Sequence, residues 1–224
     1  MLFMGRPLLT VEAVDSMRQQ LVAAALDIYR QEGLDAVSFR RLADAVGVSH
    51  TLAYRYFADK DALLTAMRIE CTRHFERFVR GREATGAPLL ERVRSVARAY
   101  VEFVKAHAED YLLIFSPSAV APSEYAELLE ARRSLFDHAV EAVAECVAAD
   151  ILHGDPREIA HAFWVTLHGM MTLHVGHQLV HGRTLDQLFE PTIDRLLEQA
   201  SSPTTARRST RAAHARSARR SSRT

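Results

Sequence analysis

The segment from Ser38 to Phe57 constrains the fold of this chain more than any other part of it. A short apolar repeat at helical spacing ends at Gly47, and after a three-residue turn a second short helical pattern begins. Ser38 is a plausible N-cap of the first helix, and the hydroxyl of Ser49 can cap the second helix. Gly47 can adopt the left-handed conformation that ends the first helix. This spacing predicts a helix-turn-helix, whose second helix is too short to build much core and is defined by what it presents outward.

Helical periodicity continues on both sides of this motif, and no convincing strand pattern is found. The stripe before the motif ends at Gly33, and another helix begins at about Asp59. Further helices are expected beyond Gly86. We therefore predict an all-α chain of about nine helices, with an N-terminal three-helix helix-turn-helix domain and a larger helical domain after it.

One predicted helix, from Asp155 to about Val180, is apolar nearly all round. Asp155 and the proline after it combine an N-cap with an N1 proline. Such a helix either runs through a core or meets another subunit with its outer face. Pro122 is expected to open the long helix before it, and Pro191 marks the start of a last helix or a kink in it.

The net charge of zero conceals an uneven distribution. Seven arginines and no acid follow residue 200, which leaves an excess of seven acidic groups in the rest. The tail 201–224 is therefore expected to be disordered. Residues 1–80 carry 11 basic and 10 acidic groups, so this part can bind nucleic acid if its basic groups share one face.

Several classes of protein are excluded by what the sequence lacks. No apolar run approaches the roughly 18–20 residues that span a bilayer, and no signal-peptide layout is present, which predicts a cytoplasmic chain without a membrane partner. Cys71 and Cys146 lie alone on apolar faces and are interpreted as small buried hydrophobes. Without a Gly-rich phosphate loop, a Gly-x-Ser-x-Gly elbow or a His-Glu-x-x-His motif, neither an enzyme nor a cofactor is predicted.

The second helix of the motif presents donors that can reach phosphates and base edges in a major groove about 12 Å wide. Arg55 suits guanine or a phosphate, and the sequence leaves both open. Arg40 and Lys60 flank the helix and suit phosphates. The candidate DNA-binding residues are Ser38, Arg40, Ser49, His50, Thr51, Tyr54, Arg55, Tyr56 and Lys60.

Residues 14–66 resemble, without a gap, the tetracycline-repressor-like (TetR) family of bacterial regulators. The pattern is carried by Ala23-Ala24-Ala25-Leu26-Asp27-Ile28-Tyr29, Val37-Ser38-Phe39-Arg40-Arg41-Leu42-Ala43, Ala45-Val46-Gly47-Val48-Ser49, Tyr54-Arg55-Tyr56-Phe57 and Lys60-Asp61-Ala62-Leu63-Leu64. Farther on, Trp164 followed by His168-Gly169 resembles the Trp-His-Gly (WHG) regulatory-domain subgroup.

This resemblance implies a ligand-responsive repressor that binds a double-stranded operator as a homodimer through its C-terminal helices. The operator would be released when an unidentified small, largely apolar molecule binds. Members of the family usually carry a leucine immediately before the tyrosine, whereas this chain has Leu52-Ala53. Leu52 then either turns toward the groove and its thymine methyl groups, or rotates into the core in place of Ala53.

Five histidines at positions 161–181 open an alternative function, a small-molecule or metal sensor that reads DNA weakly or not at all. His174, His177 and His181 would share a helical face suited to a metal ion, although dimer-seam or core histidines satisfy the same pattern. For an organic effector, an apolar cavity with a few polar anchors is expected. The candidate lining residues are Tyr100, Phe103, Tyr111, Phe115, Phe136, Phe163, Trp164, His168 and Met171.

The expected organisation is a helix-turn-helix domain at 10–58, a connecting helix at 59–80, a regulatory and dimerisation domain at 81–200, and the arginine-rich tail at 201–224. The sequence identifies neither the operator nor the effector.

Overall fold

The computed structural model describes residues 10–116 and 126–203, and every regular element in them is helical. The all-α prediction is thereby confirmed. A short 3-10 turn, Leu34–Ala36, follows the first helix. The nine α-helices of the described residues are α1 Val11–Glu32, α2 Phe39–Val46, α3 His50–Tyr56, α4 Lys60–Arg82, α5 Leu89–Ala106, α6 Ala108–Phe115, α7 Ala126–Ala148, α8 Pro156–Val175 and α9 Leu185–Ser201.

The chain forms two compact units, and long helices contribute to both. The first unit combines Met1–Arg73 with Glu109–Ala131, so it holds α1 to α3, the first half of α4, most of α6 and the start of α7. Its core is built from apolar side chains that repeat at helical spacing. Fully buried members of that core are Leu21, Leu42, Ala53, Leu63 and Met67.

Local sequence explains where α1 begins and ends. The hydroxyl of Thr10 accepts a hydrogen bond from the Ala13 N–H at 3.3 Å, which satisfies one donor of the first turn. The helix ends at Gly33, as the sequence predicted. Gly33 has a φ of 85°, a backbone conformation that residues other than glycine rarely adopt.

The second unit combines His74–Ala108 with Arg132–Thr224, and its described helices are the end of α4, α5, most of α7, α8 and α9. The predicted stripe of α5 is buried along its length, which confirms it as a core face; its members are Val93, Ala97, Tyr100 and Val104. Phe75 and Phe103 stack with ring centroids 4.0 Å apart, so α4 and α5 are held together by aromatic contact.

Helix α8 begins as predicted and ends earlier than predicted. The Asp155 carboxylate accepts the N–H groups of Arg157 at 2.7 Å and Glu158 at 3.2 Å, behind a proline at N1. The expected end near Val180 is wrong. The helix stops at Val175, because His177 takes a left-handed φ of 53° and the Gln178 N–H then reaches back to the Leu173 carbonyl at 2.7 Å.

Two proline assignments have different outcomes. Pro191 lies inside α9 and does not start it. The start is fixed instead by Thr184, whose hydroxyl accepts from the Gln187 N–H while the Gln187 side chain accepts from the Thr184 N–H. Pro122, the expected start of α7, lies outside the described residues; α7 itself ends at Ala148, somewhat before the predicted break at residue 153.

Both cysteines are fully buried free thiols, in agreement with their interpretation as small core residues. Burial raises the pKa of the Cys71 thiol far above its ordinary value, and the neighbouring Asp110 carboxylate raises it further. A thiol in this environment stays protonated and unreactive.

Candidate nucleic-acid interface

The turn between α2 and α3 has the geometry that its sequence predicted. The Ser38 hydroxyl accepts the Arg41 N–H at 3.4 Å and caps α2. Gly47 adopts the left-handed conformation, with φ of 74° and ψ of 33°, and ends that helix. The Val48 N–H returns to the Ala43 carbonyl at 2.9 Å. The chain therefore reverses within three residues, and α3 is placed against α1 and α2.

Ser49 occupies the N-cap position of α3, but the predicted hydroxyl cap is wrong. Its backbone is extended, with φ of −69° and ψ of 144°, and its side chain makes no capping hydrogen bond. The first turn is closed through the backbone instead, since the Leu52 N–H donates to the Ser49 carbonyl at 2.8 Å.

The seating of α3 follows from Leu52 and Ala53. Ala53 is fully buried and Leu52 only partly buried, so Ala53 holds the core side of the helix. Of the two arrangements left open by the sequence, the rotation that would put Leu52 into the core is not the one adopted. The core contact of α3 is therefore made by a small side chain, that of Ala53.

Among the outward residues, Tyr54 packs against two other rings. Its ring lies 4.2 Å from the Phe39 ring and 5.1 Å from the His50 ring, measured between centroids. Phe39 is buried, whereas Tyr54 stays 50% exposed. One face of the tyrosine is thus fixed by packing, and its remaining surface is open to solvent.

Nearly all of the predicted contact residues are exposed to solvent. Eight of the nine are exposed, and Tyr56 is partly buried. Arg41, which was not among them, is occupied by an ion pair: its Nη1 lies 2.7 Å from Oε2 of Glu32 at the end of α1, and its Nη2 bonds the other carboxylate oxygen. The neighbouring Arg40 is exposed to solvent.

Arg18 is a residue of this site that sequence reasoning missed. It lies in α1, and its Nη1 donates to the Tyr56 carbonyl at 3.4 Å. Its guanidinium carbon lies 4.7 Å from the centroid of the Phe57 ring. The contact joins residues 38 positions apart, so no local pattern announces it.

The nine candidate effector-binding residues are divided between the two units, two in the first and seven in the second. Tyr100 and Phe103 pack with Phe75 in the core of the second unit. Tyr111 and Phe115 contact each other in the first unit, with ring centroids 4.9 Å apart. Of the other five, Phe136 lies on α7 and four lie on α8. On α8, Phe163 and Met171 are buried, Trp164 is partly exposed and His168 is partly buried.

An aromatic cluster on α7 and α8 contains four side chains. The Trp164 and His168 rings stack with centroids 5.7 Å apart, and Phe136 lies 4.3 Å from the His161 ring. Burial lowers the pKa of His168, which favours its neutral form. A small apolar cavity of about 130 Å³ lies nearby between α8, α9 and the loop before α8, and Phe163 is the one candidate residue that lines it.

The expected shared face of His174, His177 and His181 is wrong, because α8 ends at Val175 and His177 has a positive φ. In the part of the chain that the structure describes, none of the five histidines from 161 to 181 belongs to a group of three metal-ligating side chains within reach of one ion. The described residues also contain no helix that is long and apolar enough to cross a membrane.

An all-α chain with an exposed, polar second helix in its helix-turn-helix has the architecture of a DNA-binding regulator. A family model described as bacterial regulatory proteins of the tetR family matches residues 21–67, and one described as the tetracyclin repressor-like C-terminal domain matches residues 93–196. The chain belongs to the TetR family of transcriptional regulators, and the descriptions that match name regulators rather than enzymes. Neither description names the Trp-His-Gly subgroup, so that assignment stays a prediction.

Individual relatives agree with this assignment. The HTH-type transcriptional activator FasR of Mycolicibacterium smegmatis is 30% identical over 115 residues, which are 50% of this chain and 51% of that protein. An uncharacterised HTH-type regulator of Mycobacterium tuberculosis is 33% identical over 111 residues, 48% of this chain and 46% of that protein. The chain thus spans about half the length of the curated relatives it matches.

Solved structures extend the similarity to nearly the whole chain. A Rhodococcus sp. RHA1 protein of unknown function is 30% identical with a TM-score of 0.72, covering 83% of this chain and 96% of that one. The fatty acid degradation regulator FadR of Bacillus halodurans shares the fold alone, at 18% identity and a TM-score of 0.62, covering 80% of this chain and 94% of that one.

Proposed function

We propose that α3 enters the major groove of an operator duplex and that its outward residues make the contacts. His50 and Thr51 face base edges, Arg55 contacts either a guanine or a phosphate, and Tyr54 and Tyr56 meet the backbone. The phosphates on either side are bound by Arg40 and Lys60 and by the Ser38 and Ser49 hydroxyls. The observation that carries this proposal is the exposure of His50, Thr51, Tyr54 and Arg55 on α3, while Ala53 of the same helix is buried. Leu52, partly exposed, is positioned for a thymine methyl group.

The regulator acts as a homodimer through α8 and α9, in the cytoplasm, where a bacterial operator lies. Helix α8 buries one side through Ala160, Phe163 and Leu167, and it exposes apolar side chains on the other. Val165 is 60% exposed there, beside Trp164. An apolar helix face of this kind is suited to a partner subunit.

A small, largely apolar effector controls release of the operator, and repression is the default output. DNA and effector favour different separations of the two α3 helices, so each weakens binding of the other by the same factor. In this proposal residues 10–58 bind DNA, and the helix at 59–80 connects them to the regulatory domain. Residues 81–200 hold the effector and the dimer interface, and residues 201–224 form the arginine-rich tail. Because FasR is named a transcriptional activator, the direction of control cannot be taken from that relative and needs a measurement on this chain.

A gel shift with DNA upstream of the gene, followed by footprinting, tests DNA binding. We expect a protected site with two half-sites separated by whole turns of duplex. Protein that binds this DNA no better than random duplex contradicts the proposal. A promoter fusion in cells with and without the regulator then gives the direction: higher expression in its absence marks a repressor.

A further inference from the structure

Helix α3 is weak as an isolated element. It has seven residues, far below the roughly 12–15 at which a helix becomes marginally stable in water. Four of its seven residues have low helix propensity, namely His50, Thr51, Tyr54 and Tyr56. Its N-cap serine supplies no side-chain hydrogen bond. The orientation of α3 must therefore be fixed by contacts from outside the helix.

Apolar contacts fix one side of α3 and its C-cap residue Phe57, and a polar contact reaches the carbonyl of the last helical residue, Tyr56. Ala53 and Phe57 are buried, and Tyr54 packs on Phe39. Within the described residues, one side chain from outside α2 and α3 donates a hydrogen bond to α3. It is Arg18, which donates to the Tyr56 carbonyl.

Three physical effects favour an arginine at this point. The last carbonyls of a helix have no partner within it, and a cation beside them also opposes the negative end of the helix dipole. The guanidinium of Arg18 supplies the donor and the charge. The ring of buried Phe57 supplies a surface over which the guanidinium lies.

We propose that Arg18 is a positioning residue for DNA recognition, which holds the carboxyl end of α3 so that Tyr54, Arg55 and Tyr56 keep one orientation toward the duplex. The inference rests on the proposed role of α3 in DNA binding. It adds a residue from α1, outside the helix-turn-helix, that determines specificity without contacting a base.

The test compares Arg18→Met, Arg18→Lys and the unaltered chain, with Arg73→Met as the matched control. Arg73 is also an exposed arginine of the first unit, and it pairs with Glu127 rather than with α3. Four quantities are measured: amide hydrogen exchange without DNA, at residues 50–57 and in the rest of the first unit; the ratio of affinities for the footprinted operator and a random duplex; the dependence of operator affinity on salt; and the melting temperature.

In Arg18→Met we expect exchange at residues 50–57 to accelerate and the affinity ratio to fall, each by up to about tenfold for the removal of one charged hydrogen bond. Arg18→Lys keeps a cation and a donor, so it should recover part of both effects. The salt slope and the melting temperature should stay those of the unaltered chain, and Arg73→Met should change neither exchange nor ratio.

Other results overturn the proposal. A salt slope reduced by about 0.9 with an unchanged ratio makes Arg18 a phosphate contact. Faster exchange throughout the first unit makes it a general structural residue, and unchanged exchange makes the bond dispensable. If the unaltered chain binds the operator no better than a random duplex at any salt concentration, the proposed function itself is wrong. If only the positioning role is wrong, Arg18→Met still prefers the operator as strongly as the unaltered chain does.

Discussion

Arg30 of α1 and Asp110 of α6 form a two-point ion pair, with Nε to Oδ1 and Nη2 to Oδ2 both at 2.9 Å. The Asp110 side chain is only 1% exposed. The carboxylate raises the pKa of Arg30, chiefly through these hydrogen bonds. One residue earlier on each helix, the Tyr29 hydroxyl donates to the Glu109 carbonyl at 2.9 Å, and burial raises the pKa of Tyr29 to about 12. Helix α6 is thus fastened to the helix that begins the DNA-binding part.

Replacing Arg30 by Met should destabilise the first unit strongly, because it leaves a buried carboxylate without its cation. Removing one partner of a fully buried pair costs about 3–5 kcal/mol. Arg30 is itself 39% exposed, so water can replace part of the interaction and we expect about 2 kcal/mol. Urea unfolding measures the change.

The control for this substitution is Glu127→Gln, which breaks the solvent-exposed Arg73–Glu127 pair of the same unit. Such surface pairs contribute about 0–1 kcal/mol. Equal losses in the two variants would show that burial of Asp110 adds nothing to the strength of its ion pair.

Features governed by neighbouring residues could be predicted from the sequence. The cap at Ser38, the left-handed Gly47 and the Asp155-Pro156 start each depend on a few consecutive residues, and the structure contains all three. The end of α8 depends equally on local residues, but a histidine took the left-handed position beside Gly176, where glycine is the usual occupant.

The features that could not be predicted join distant parts of the chain. Arg30 and Asp110 are 80 residues apart, and nothing near either one identifies its partner. The same is true of Arg18 and Tyr56. The division of the candidate effector residues between the two units has a related cause, since periodicity shows which side chains are buried without showing which of them contact one another.

Arg55→Ala should reduce operator affinity by about 1–3 kcal/mol, or roughly 5- to 150-fold, without changing the melting temperature. Arg55 is exposed on α3, so its removal leaves no cavity and no buried group without a partner. Titrations against operators with single base changes separate its two possible contacts. A guanine contact relaxes discrimination at one base pair, whereas a phosphate contact weakens binding to all sequences equally. Unchanged affinity would remove Arg55 from the interface.

Deleting residues 204–224 should flatten the salt dependence of DNA binding. Residues 204–224 lie outside the described residues, and seven arginines are their only charged side chains at neutral pH. Each phosphate that these arginines neutralise adds about 0.9 to the steepness of log K against log salt, and truncation removes that contribution. A truncated chain with the original slope would show that the tail does not bind DNA.

Val165→Glu should convert the dimer to a monomer, because it places a charge in the apolar face of α8 that we assign to the subunit interface. Leu112→Glu is the matched control: Leu112 is 50% exposed on α6 and lies in the other unit. Analytical ultracentrifugation should show a smaller particle for the first variant only, with helicity by circular dichroism retained in both. Dimers in both variants would place the interface elsewhere.

Protonation of His138 should destabilise the second unit below neutral pH. His138 is almost fully buried, and burial lowers its pKa more than the nearby Glu83 and Glu141 carboxylates raise it; Arg80 and Arg92 lower it further. Its Nε2 lies 3.1 Å from Oε2 of Glu83. Because the folded-state pKa is below the ordinary value of about 6.5, the folded chain binds fewer protons than the unfolded chain. The stabilisation is complete above that value and is lost as the pH falls through the folded-state pKa.

The measurement is the free energy of unfolding at pH 7.5 and pH 5.5, for the unaltered chain and for His138→Gln. Glutamine keeps a donor for Glu83 but does not titrate, so this variant should lose less stability between the two pH values. The corresponding change at exposed His161 serves as the control for replacing a histidine of the same unit by glutamine. Identical pH profiles for all three proteins would mean that acid destabilises this chain through other groups.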